Sequence, residues 1–148
     1  MKLYISSSWS NREQVGILAT SLLTAGFEVF DFTNQQHRKT SVICPPEKYQ
    51  NTFDPDIQEY RDYIRRPEWY KVVDENKQMI QWSDVIILLL PCGNDAHSDW
   101  AYGVGLGKKS IVYGHPGRGS RSPVHLWTDA FAVNFTEIED ILQYWKES

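Results

Sequence analysis

Short apolar runs alternate along the chain with segments of helical periodicity. Five runs are predicted to be strands, at residues 3–6, 27–32, 85–90, 110–113 and 130–133. Between the first two runs, apolar residues recur at the spacing of one helix face: Val15, Leu18, Ala19, Leu22 and Leu23. A strand, a helix and a strand within about thirty residues indicate a βαβ unit, which forms a parallel sheet.

Polar residues place several predicted helix starts. Ser10 and Glu13 fit the S-x-x-E capping box, and Thr136 and Glu139 fit another before the last helix. Further helices are predicted at 56–65, 69–83 and 96–106. Residues 33–55 have no clear period, so they are predicted to form a long loop, and such loops in compact domains are often functional.

The run at 85–90 is apolar at every position, which suits a strand covered on both faces of a parallel sheet. A chain of 148 residues without a linker or repeat has the length of one domain, so we expect a single domain over 1–148. The expected fold is α/β: a Rossmann-like or flavodoxin-like three-layer sandwich with a parallel sheet of about five strands.

Composition narrows the function classes. A net charge of −4 disfavours polymeric nucleic acid as a partner, because binding its phosphates needs a basic surplus. No apolar run reaches the ~20 residues of a membrane span. The chain shows no signal-peptide pattern, so we expect a cytoplasmic protein with Cys44 and Cys92 as free thiols. No C-x-x-C pair indicates a metal site, and no motif calls for a cofactor.

Ligands of open parallel sheets bind beyond the carboxyl ends of the strands. Ser6, Ser7, Ser8 and Trp9 follow the first strand and precede a helix, where hydroxyls and free backbone N–H groups suit a phosphate. An ordinary capping loop explains these residues equally well. Asp31 lies at the end of the second strand.

The segment after the third strand groups polar residues at a predicted helix start, beginning with Gly93 and Asn94. The helix dipole favours an ionised carboxylate there, so Asp99 is expected to be a poor acid and a competent nucleophile or cation stabiliser. His97 could protonate a leaving base, as a histidine can act as a general acid. The plainer alternative is that Asp95 and Asp99 only complement the helix end.

The stretch 85–108 resembles the nucleoside 2-deoxyribosyltransferase-like superfamily, in its deoxynucleoside monophosphate N-glycosidase branch. Those proteins have a buried strand, a glycine-bearing turn and a helix of the form Glu-x-Gly-x-Ala-x-x-x-Gly-Lys. Counting back from Gly107-Lys108 places Asp99 at the catalytic Glu. By spacing from Asp84, the family's assisting Asp falls at Asn76. A more distant resemblance links the chain to TIR-like domains, which cleave NAD.

The resemblance implies cleavage or transfer at the N-glycosidic bond of a nucleoside or nucleotide, through an oxocarbenium-like state. Two differences from the family's pattern leave open whether the chain is an active enzyme. Asp99 is shorter than Glu by one methylene, about 1.5 Å of reach, and a shift of that order can cost about 10²-fold in rate. Asn76 cannot be a general acid, although Asp74 or Asp84 could take over that role.

Three hypotheses follow: an N-glycosidase or deoxyribosyltransferase-like enzyme, a TIR-like enzyme that cleaves or cyclises NAD, and a non-catalytic nucleotide-binding protein. In the first, Asp99 and His97 are the catalytic residues. The substrate-binding residues are then Ser6, Ser7, Ser8, Trp9, Asp31, Asn76, Gly93, Asn94 and Ser98. The loop after the fourth strand could also reach the site, through His115, Arg118 and Arg121. The implied partners are a small-molecule nucleoside or nucleotide and further copies of the chain, in a homodimer or larger oligomer.

Overall fold

The computed structural model describes residues 1–40, 56–117 and 120–148. They contain a five-stranded sheet of β1 (Lys2–Ser6), β2 (Glu28–Asp31), β3 (Val85–Leu89), β4 (Lys109–Tyr113) and β5 (Ala130–Ala132). The strand order is β2-β1-β3-β4-β5, and every neighbouring pair is parallel. This confirms the expected α/β fold, in its flavodoxin-like strand order.

Helices cover both faces of the sheet. They are α1 (Arg12–Thr24), α2 (Ile57–Ile64), α3 (Pro67–Trp82), α4 (Asn94–Gly105) and α5 (Phe135–Glu147). Side chains of α1 and α5 share one core cluster with one face of the strands. Side chains of α3 and α4 share a second cluster with the other face. The two clusters and the sheet between them form the expected three layers.

The third strand lies in the middle of the sheet, and all five of its residues are buried. Ile86 and Leu88 face α3 and α4, whereas Val85, Ile87 and Leu89 face α1 and α5. Burying each of these side chains contributes roughly 1.5–3 kcal/mol, so β3 anchors both layers. Burial on both faces of the sheet explains why the sequence is apolar at every position of this strand.

Gly103 allows α4 to pack closely on this strand. A Cβ at Gly103 would lie 2.4 Å from Ile86 Cγ1. Gly105 and Gly107 have no atom within 4 Å of an added Cβ, and Gly107 ends the helix at a φ of 77°. Of the three glycines of this segment, only Gly103 is required by packing.

Two predicted capping boxes are wrong. The helix α1 does not start from Ser10, because a 3₁₀ turn at Trp9–Asn11 precedes it. At α5, the N-cap is Asn134, whose Oδ1 accepts from Glu137 N at 3.0 Å. An N-x-x-E pattern two residues before the predicted S/T-x-x-E pattern therefore starts this helix.

The other helix starts lie close to the predictions. Asp56 caps α2 in a complete capping box with Glu59. Pro67 is the first residue of α3, a position where its missing N–H costs nothing. The helix α4 starts at Asn94, two residues before the predicted start, with Gly93 as its N-cap.

Some sequence predictions fall outside the described residues: Cys44, Arg118 and the 41–55 part of the long loop. Cys92 is a free, buried thiol, and burial raises its pKa to about 12. No helix in the described part of the chain has the length and apolar character needed to cross a membrane.

Candidate functional site

The strands β1 and β3 end side by side at the point where the strand order reverses, with Ser6 opposite Leu88. In open α/β sheets this is where ligands bind. Leu90 precedes Pro91 through a cis peptide bond, and the chain then enters α4. The first turns of α4 therefore stand over the ends of both strands.

The serines after β1 tie it to the segment that enters α4. The Ser6 hydroxyl donates to Ala96 O at 2.7 Å, and the Ser7 hydroxyl donates to Leu89 O at 2.9 Å. Both residues are buried. Their hydroxyl protons are therefore used inside the protein, and these two residues build the floor of the site.

Ser8 has a different arrangement. Its Oγ accepts from Gly93 N at 2.7 Å, which leaves the hydroxyl proton to donate. Asn11 reinforces the same junction, with Nδ2 donating to Ser7 Oγ at 3.2 Å and to Pro91 O at 3.4 Å. Neither Ser8 nor Asn11 forms a side-chain cap, and α1 begins after a 3₁₀ turn at Trp9–Asn11.

Asp99 lies in the second turn of α4, and its carboxylate points to the sheet. Its Oδ2 accepts from the Tyr4 hydroxyl at 3.0 Å. Burial raises the pKa of Asp99 to about 6, and the charge of Asp95 adds to this. The Tyr4 hydrogen bond and the charge of Arg38 oppose the shift. The expectation that the helix dipole favours the ionised form and makes Asp99 a poor acid is therefore wrong in its direction, because desolvation dominates and raises the pKa.

The other carboxylate oxygen of Asp99 is open. No described residue donates to Asp99 Oδ1, and in the described ranges the one buried side-chain polar atom without a partner is Trp100 Nε1. Asp99 Oδ1 is therefore reached by solvent. The site presents one fixed oxygen and one free oxygen of a carboxylate that is mostly ionised at neutral pH.

Tyr4 is fully buried in β1 and stacks on Phe30 of β2, with ring centroids 5.4 Å apart. Burial raises the pKa of Tyr4, and the neighbouring Asp99 charge raises it further. The hydroxyl therefore keeps its proton and serves as a fixed donor. It holds the Asp99 carboxylate at one orientation.

Arg38 is the buried cation of this site. Its guanidinium lies 5.7 Å above the Phe30 ring. It donates to Asn76 Oδ1 at 2.9 Å and to Phe32 O at 3.2 Å. Its Nη2 lies 3.5 Å from Glu75 Oε2 in an ion pair whose side chains are 2% and 7% exposed. Arg38 thus connects the segment after β2 to α3.

Glu75 anchors the same segment from α3. Its carboxylate accepts from Lys39 N at 2.6 Å, from Thr40 N at 2.9 Å and from the Thr40 hydroxyl. Burial alone would raise the pKa of Glu75, but these hydrogen bonds, with the charge of Arg38, outweigh it and lower the pKa. The carboxylate stays ionised and neutralises Arg38.

Asp31 holds the turn after β2, and its side chain contacts Thr33 and not Asp99. Its Oδ1 accepts from Thr33 N at 2.8 Å and from Thr33 Oγ1 at 2.6 Å. Its backbone N–H donates to His37 Nδ1 at 3.0 Å. Asp31 is 3% exposed, so its observed contacts shape the backbone that leads to Arg38.

His97 is turned away from Asp99. Its Nδ1 donates to Gly93 O at 2.8 Å, since a carbonyl can only accept. Its Nε2 lies 2.8 Å from Nε2 of His125, which must then be the donor of the neutral pair. Burial lowers the pKa of His125, and His97 contributes. Residues two apart on a helix lie on nearly opposite sides, which separates His97 from Asp99.

The remaining predicted residues surround the start of α4. Ser98 Oγ donates to Asn94 O at 2.9 Å, and both residues are exposed. Trp9 is half-buried, with the Arg12 guanidinium 5.8 Å from its ring.

A cavity of about 270 Å³ opens beside the start of α4, and it is lined by Cys92, Gly93, Asn94, His97, Ser120, Arg121, Ser122 and Val124. It lies on the His97 side of the helix, and its lining does not include Asp99.

The loop after β4 contributes Ser120, Arg121 and Ser122 to that cavity, and Arg121 Nε also donates to Gly117 O at 3.2 Å. His115 is exposed, and its Nδ1 accepts from Gly117 N at 3.0 Å. In the described part of the chain, no group of three His, Cys, Asp or Glu side chains is placed to hold a metal ion.

Sequence reasoning missed Tyr4, Arg38 and Glu75. Tyr4 sits within an apolar strand, where an aromatic residue is typical of packing. Arg38 lies in a segment without periodicity. Glu75 did carry a signal, since it stands three residues after Val72 and four before Met79, on the apolar face of the helix. A carboxylate at such a position needs a buried partner.

Comparisons with known proteins agree with the fold. No protein-family description and no curated protein matches the chain. The structure is similar to that of a 2-deoxyribosyltransferase from Bacillus psychrosaccharolyticus, at a TM-score of 0.55 and 20% identity, over 95% of this chain and 91% of that one. It is also similar to the CMP N-glycosidase BcmB of Clostridium botulinum, at a TM-score of 0.51 and 13% identity, over 98% of this chain and 99% of that one.

Proposed function

We propose that this protein cleaves or transfers the N-glycosidic bond of a nucleoside or nucleotide, with Asp99 as the carboxylate beneath the anomeric carbon. One observation carries the proposal: the Asp99 carboxylate is fixed through Oδ2 by the Tyr4 hydroxyl, while Oδ1 is open to solvent. An oriented and partly desolvated carboxylate stabilises the positive charge that develops on a sugar as its base leaves.

In the proposed reaction the C1′–N bond breaks and its electron pair goes to the base, which takes up a proton. Asp99 Oδ1 either bonds to C1′ or stabilises the cation by charge. Water or a second base then attacks C1′, which gives hydrolysis or transfer. With a pKa of about 6, Asp99 is available as a carboxylate at neutral pH.

Two comparisons support this proposal, because the fold is shared with proteins described as a 2-deoxyribosyltransferase and a CMP N-glycosidase. We further propose that polar groups beside the start of α4 contact the sugar or its phosphate: the half-buried Ser8 hydroxyl and the exposed Asn94 and Ser98. We also propose that the protein is cytoplasmic, that it forms homo-oligomers and that its ligand is a small nucleoside or nucleotide.

A non-catalytic nucleotide-binding role is the second candidate. The observation that favours it is that Asn76, an amide, occupies the position at which the resemblance expects an assisting acid, and its Oδ1 is already bonded to Arg38. Such a site retains ligand-binding groups but lacks a proton donor for the leaving base.

The test is incubation of the protein with 2′-deoxynucleosides, their 5′-monophosphates and NAD, followed by chromatography of the products. We expect free base from a nucleoside or its monophosphate, with a rate that falls as the pH drops below about 6, where Asp99 takes up its proton. Asp99→Asn should lower kcat by at least about 10²-fold, since it removes the charge that stabilises the cation.

Asp140→Asn is the matched control, because it removes an exposed carboxylate of α5, which packs on the opposite face of the sheet from α4. It should leave the rate unchanged. Base release that survives Asp99→Asn would overturn the assignment. Release of nicotinamide alone would point to NAD cleavage, and nucleotide binding without turnover would support the binding role.

A further inference from the structure

We propose that Asn76 determines specificity as a hydrogen-bond donor, its amide being fixed by Arg38 so that Nδ2 donates to an acceptor atom of the leaving base. The acceptors beside the glycosidic bond are N3 of a purine and O2 of a pyrimidine. This inference rests on the proposed function and adds to it the atom that the site recognises.

The Arg38 guanidinium is fully occupied within the protein. Its Nε and Nη2 approach Thr40 Oγ1 at 3.4 and 3.3 Å, and Nη2 also reaches Val72 O at 3.4 Å and Glu75. Its Nη1 donates to Phe32 O and to Asn76. With its charge neutralised and its donors used, Arg38 has no group left for a ligand phosphate. Its effect on a ligand passes through Asn76.

This contact decides which way the Asn76 amide points. A guanidinium has five donors and no acceptor, so it can face only the carbonyl oxygen of an amide. Turning the amide over would set its NH₂ group against the guanidinium and leave a donor unsatisfied, at a cost of about 1–3 kcal/mol. The orientation of Asn76 is therefore fixed by chemistry, at an Oδ1 distance of 2.9 Å.

The amide nitrogen remains for a ligand. No described residue accepts a hydrogen bond from Asn76 Nδ2. In the described ranges Trp100 Nε1 is the one buried side-chain polar atom without a partner, so Asn76 Nδ2 is not buried and is reached by solvent. Asn76 and Asp99 belong to one continuous cluster, because Arg38 bonds Asn76 and packs 5.7 Å over Phe30. The Phe30 ring stacks on Tyr4, whose hydroxyl donates to Asp99. The cluster offers a free acceptor, Asp99 Oδ1, and a free donor, Asn76 Nδ2.

An aspartate at position 76 would not restore an acid here. Beside Arg38 it would stay ionised and could only accept, so it would repel an acceptor on the base. It would also place a second negative charge close to Asp99. The proposal therefore expects Asn76→Asp to weaken the site, whereas an assisting-acid role for this position expects the same change to strengthen it.

The experiment measures kcat/KM and Kd for two pairs of probes. One pair is 2′-deoxyadenosine and its 3-deaza analogue, in which a C–H replaces the N3 acceptor. The other is 2′-deoxycytidine and its 2-thio analogue, a weaker acceptor. For the pair that the protein accepts, the native chain should prefer the parent nucleoside about tenfold, the effect of one hydrogen bond.

Asn76→Ala should abolish this preference, and Asn76→Asp should lower kcat/KM below that of the native chain. Gln78→Ala, an exposed change on the same helix, is the control that should keep the preference. Arg38→Lys should reduce it, because one ammonium cannot hold the amide and the carbonyls together. Melting curves confirm that each variant is folded, and a ratio between two probes is insensitive to a general loss of stability.

A preference that persists in Asn76→Ala, or a rate that rises in Asn76→Asp, would overturn the inference. The proposed function fails separately, when no base is released from any probe. In that case the ratio of the two Kd values still tests the donor role of Asn76. A native chain that binds neither pair would contradict both proposals.

Discussion

Replacing Asp99 by Asn should stabilise the folded protein at neutral and alkaline pH. Burial raises the pKa of Asp99 from 3.8 to about 6, so the unfolded chain loses this proton more readily than the folded chain. The stability that the protonated group provides is fully present below about pH 4 and is lost as the pH rises through 6. An amide resembles the protonated acid and can still accept from Tyr4, but it does not ionise.

The magnitude follows from the size of the shift. Each pKa unit corresponds to 1.36 kcal/mol, so a shift from 3.8 to about 6 costs the native protein about 3 kcal/mol above pH 7. The Asn variant avoids that cost. Its advantage should shrink to about 1 kcal/mol near pH 4.5, where Asp99 is protonated in the folded chain and only partly ionised in the unfolded chain.

Urea unfolding followed by tryptophan fluorescence, near pH 8 and near pH 4.5, measures both differences. Asp74→Asn provides the control, because an exposed carboxylate should give the native stability at both pH values. The reasoning is refuted if Asp99→Asn is less stable than the native chain near pH 8. It is equally refuted if the difference between the two proteins does not change with pH.

Two further changes test the scaffold of the site, each by urea unfolding. Gly103→Ala should lower the free energy of unfolding by about 1–3 kcal/mol, because its Cβ would lie 2.4 Å from the fully buried Ile86. Gly105→Ala would meet no atom within 4 Å, so it should be neutral or raise the free energy of unfolding by up to about 1 kcal/mol. Equal effects of the two alanines would contradict the close packing of α4 on β3. Glu75→Gln should cost about 3–5 kcal/mol, because it leaves the buried guanidinium without its counter-charge, whereas Glu68→Gln, on the exposed first turn of the same helix, should cost little. A small loss at both glutamates would show that the ion pair does not hold the segment after β2.

The fold could be predicted because the patterns that define it are local. The apolar run at 85–90 is buried on both sides, and helical periodicity marked the helices to within a few residues. The helix starts were less predictable because tertiary contacts compete for the capping side chains. The side chains of Ser8 and Asn11 contact Gly93, Ser7 and Pro91 and form no side-chain cap, so a sequence pattern that counts only neighbours misplaces the start of α1.

The site could be predicted only in part. The motif of α4 pointed to Asp99, and the structure places that carboxylate at the sheet, on the Tyr4 hydroxyl of β1. Grouping His97 with it ignored the helix period, since two residues correspond to roughly 200° of rotation. The role of Arg38 could not be predicted from the sequence, because it depends on where a non-periodic segment crosses α3. No local sequence pattern encodes that crossing.

The charges of the site explain how a carboxylate can sit near a buried arginine and still remain reactive. An unpaired guanidinium close to Asp99 would bind it tightly and hold its pKa low, as in an ordinary ion pair. Here Glu75 is the partner of Arg38 in the ion pair, and three hydrogen bonds from Lys39 and Thr40 hold its carboxylate in position. The charge of Arg38 therefore affects Asp99 only weakly, and burial sets the pKa of Asp99. The stability that Asp99 costs at neutral pH therefore follows from burying a carboxylate that has the Tyr4 hydroxyl but no ion-pair partner among the described residues, and the same arrangement leaves Oδ1 available for the proposed chemistry.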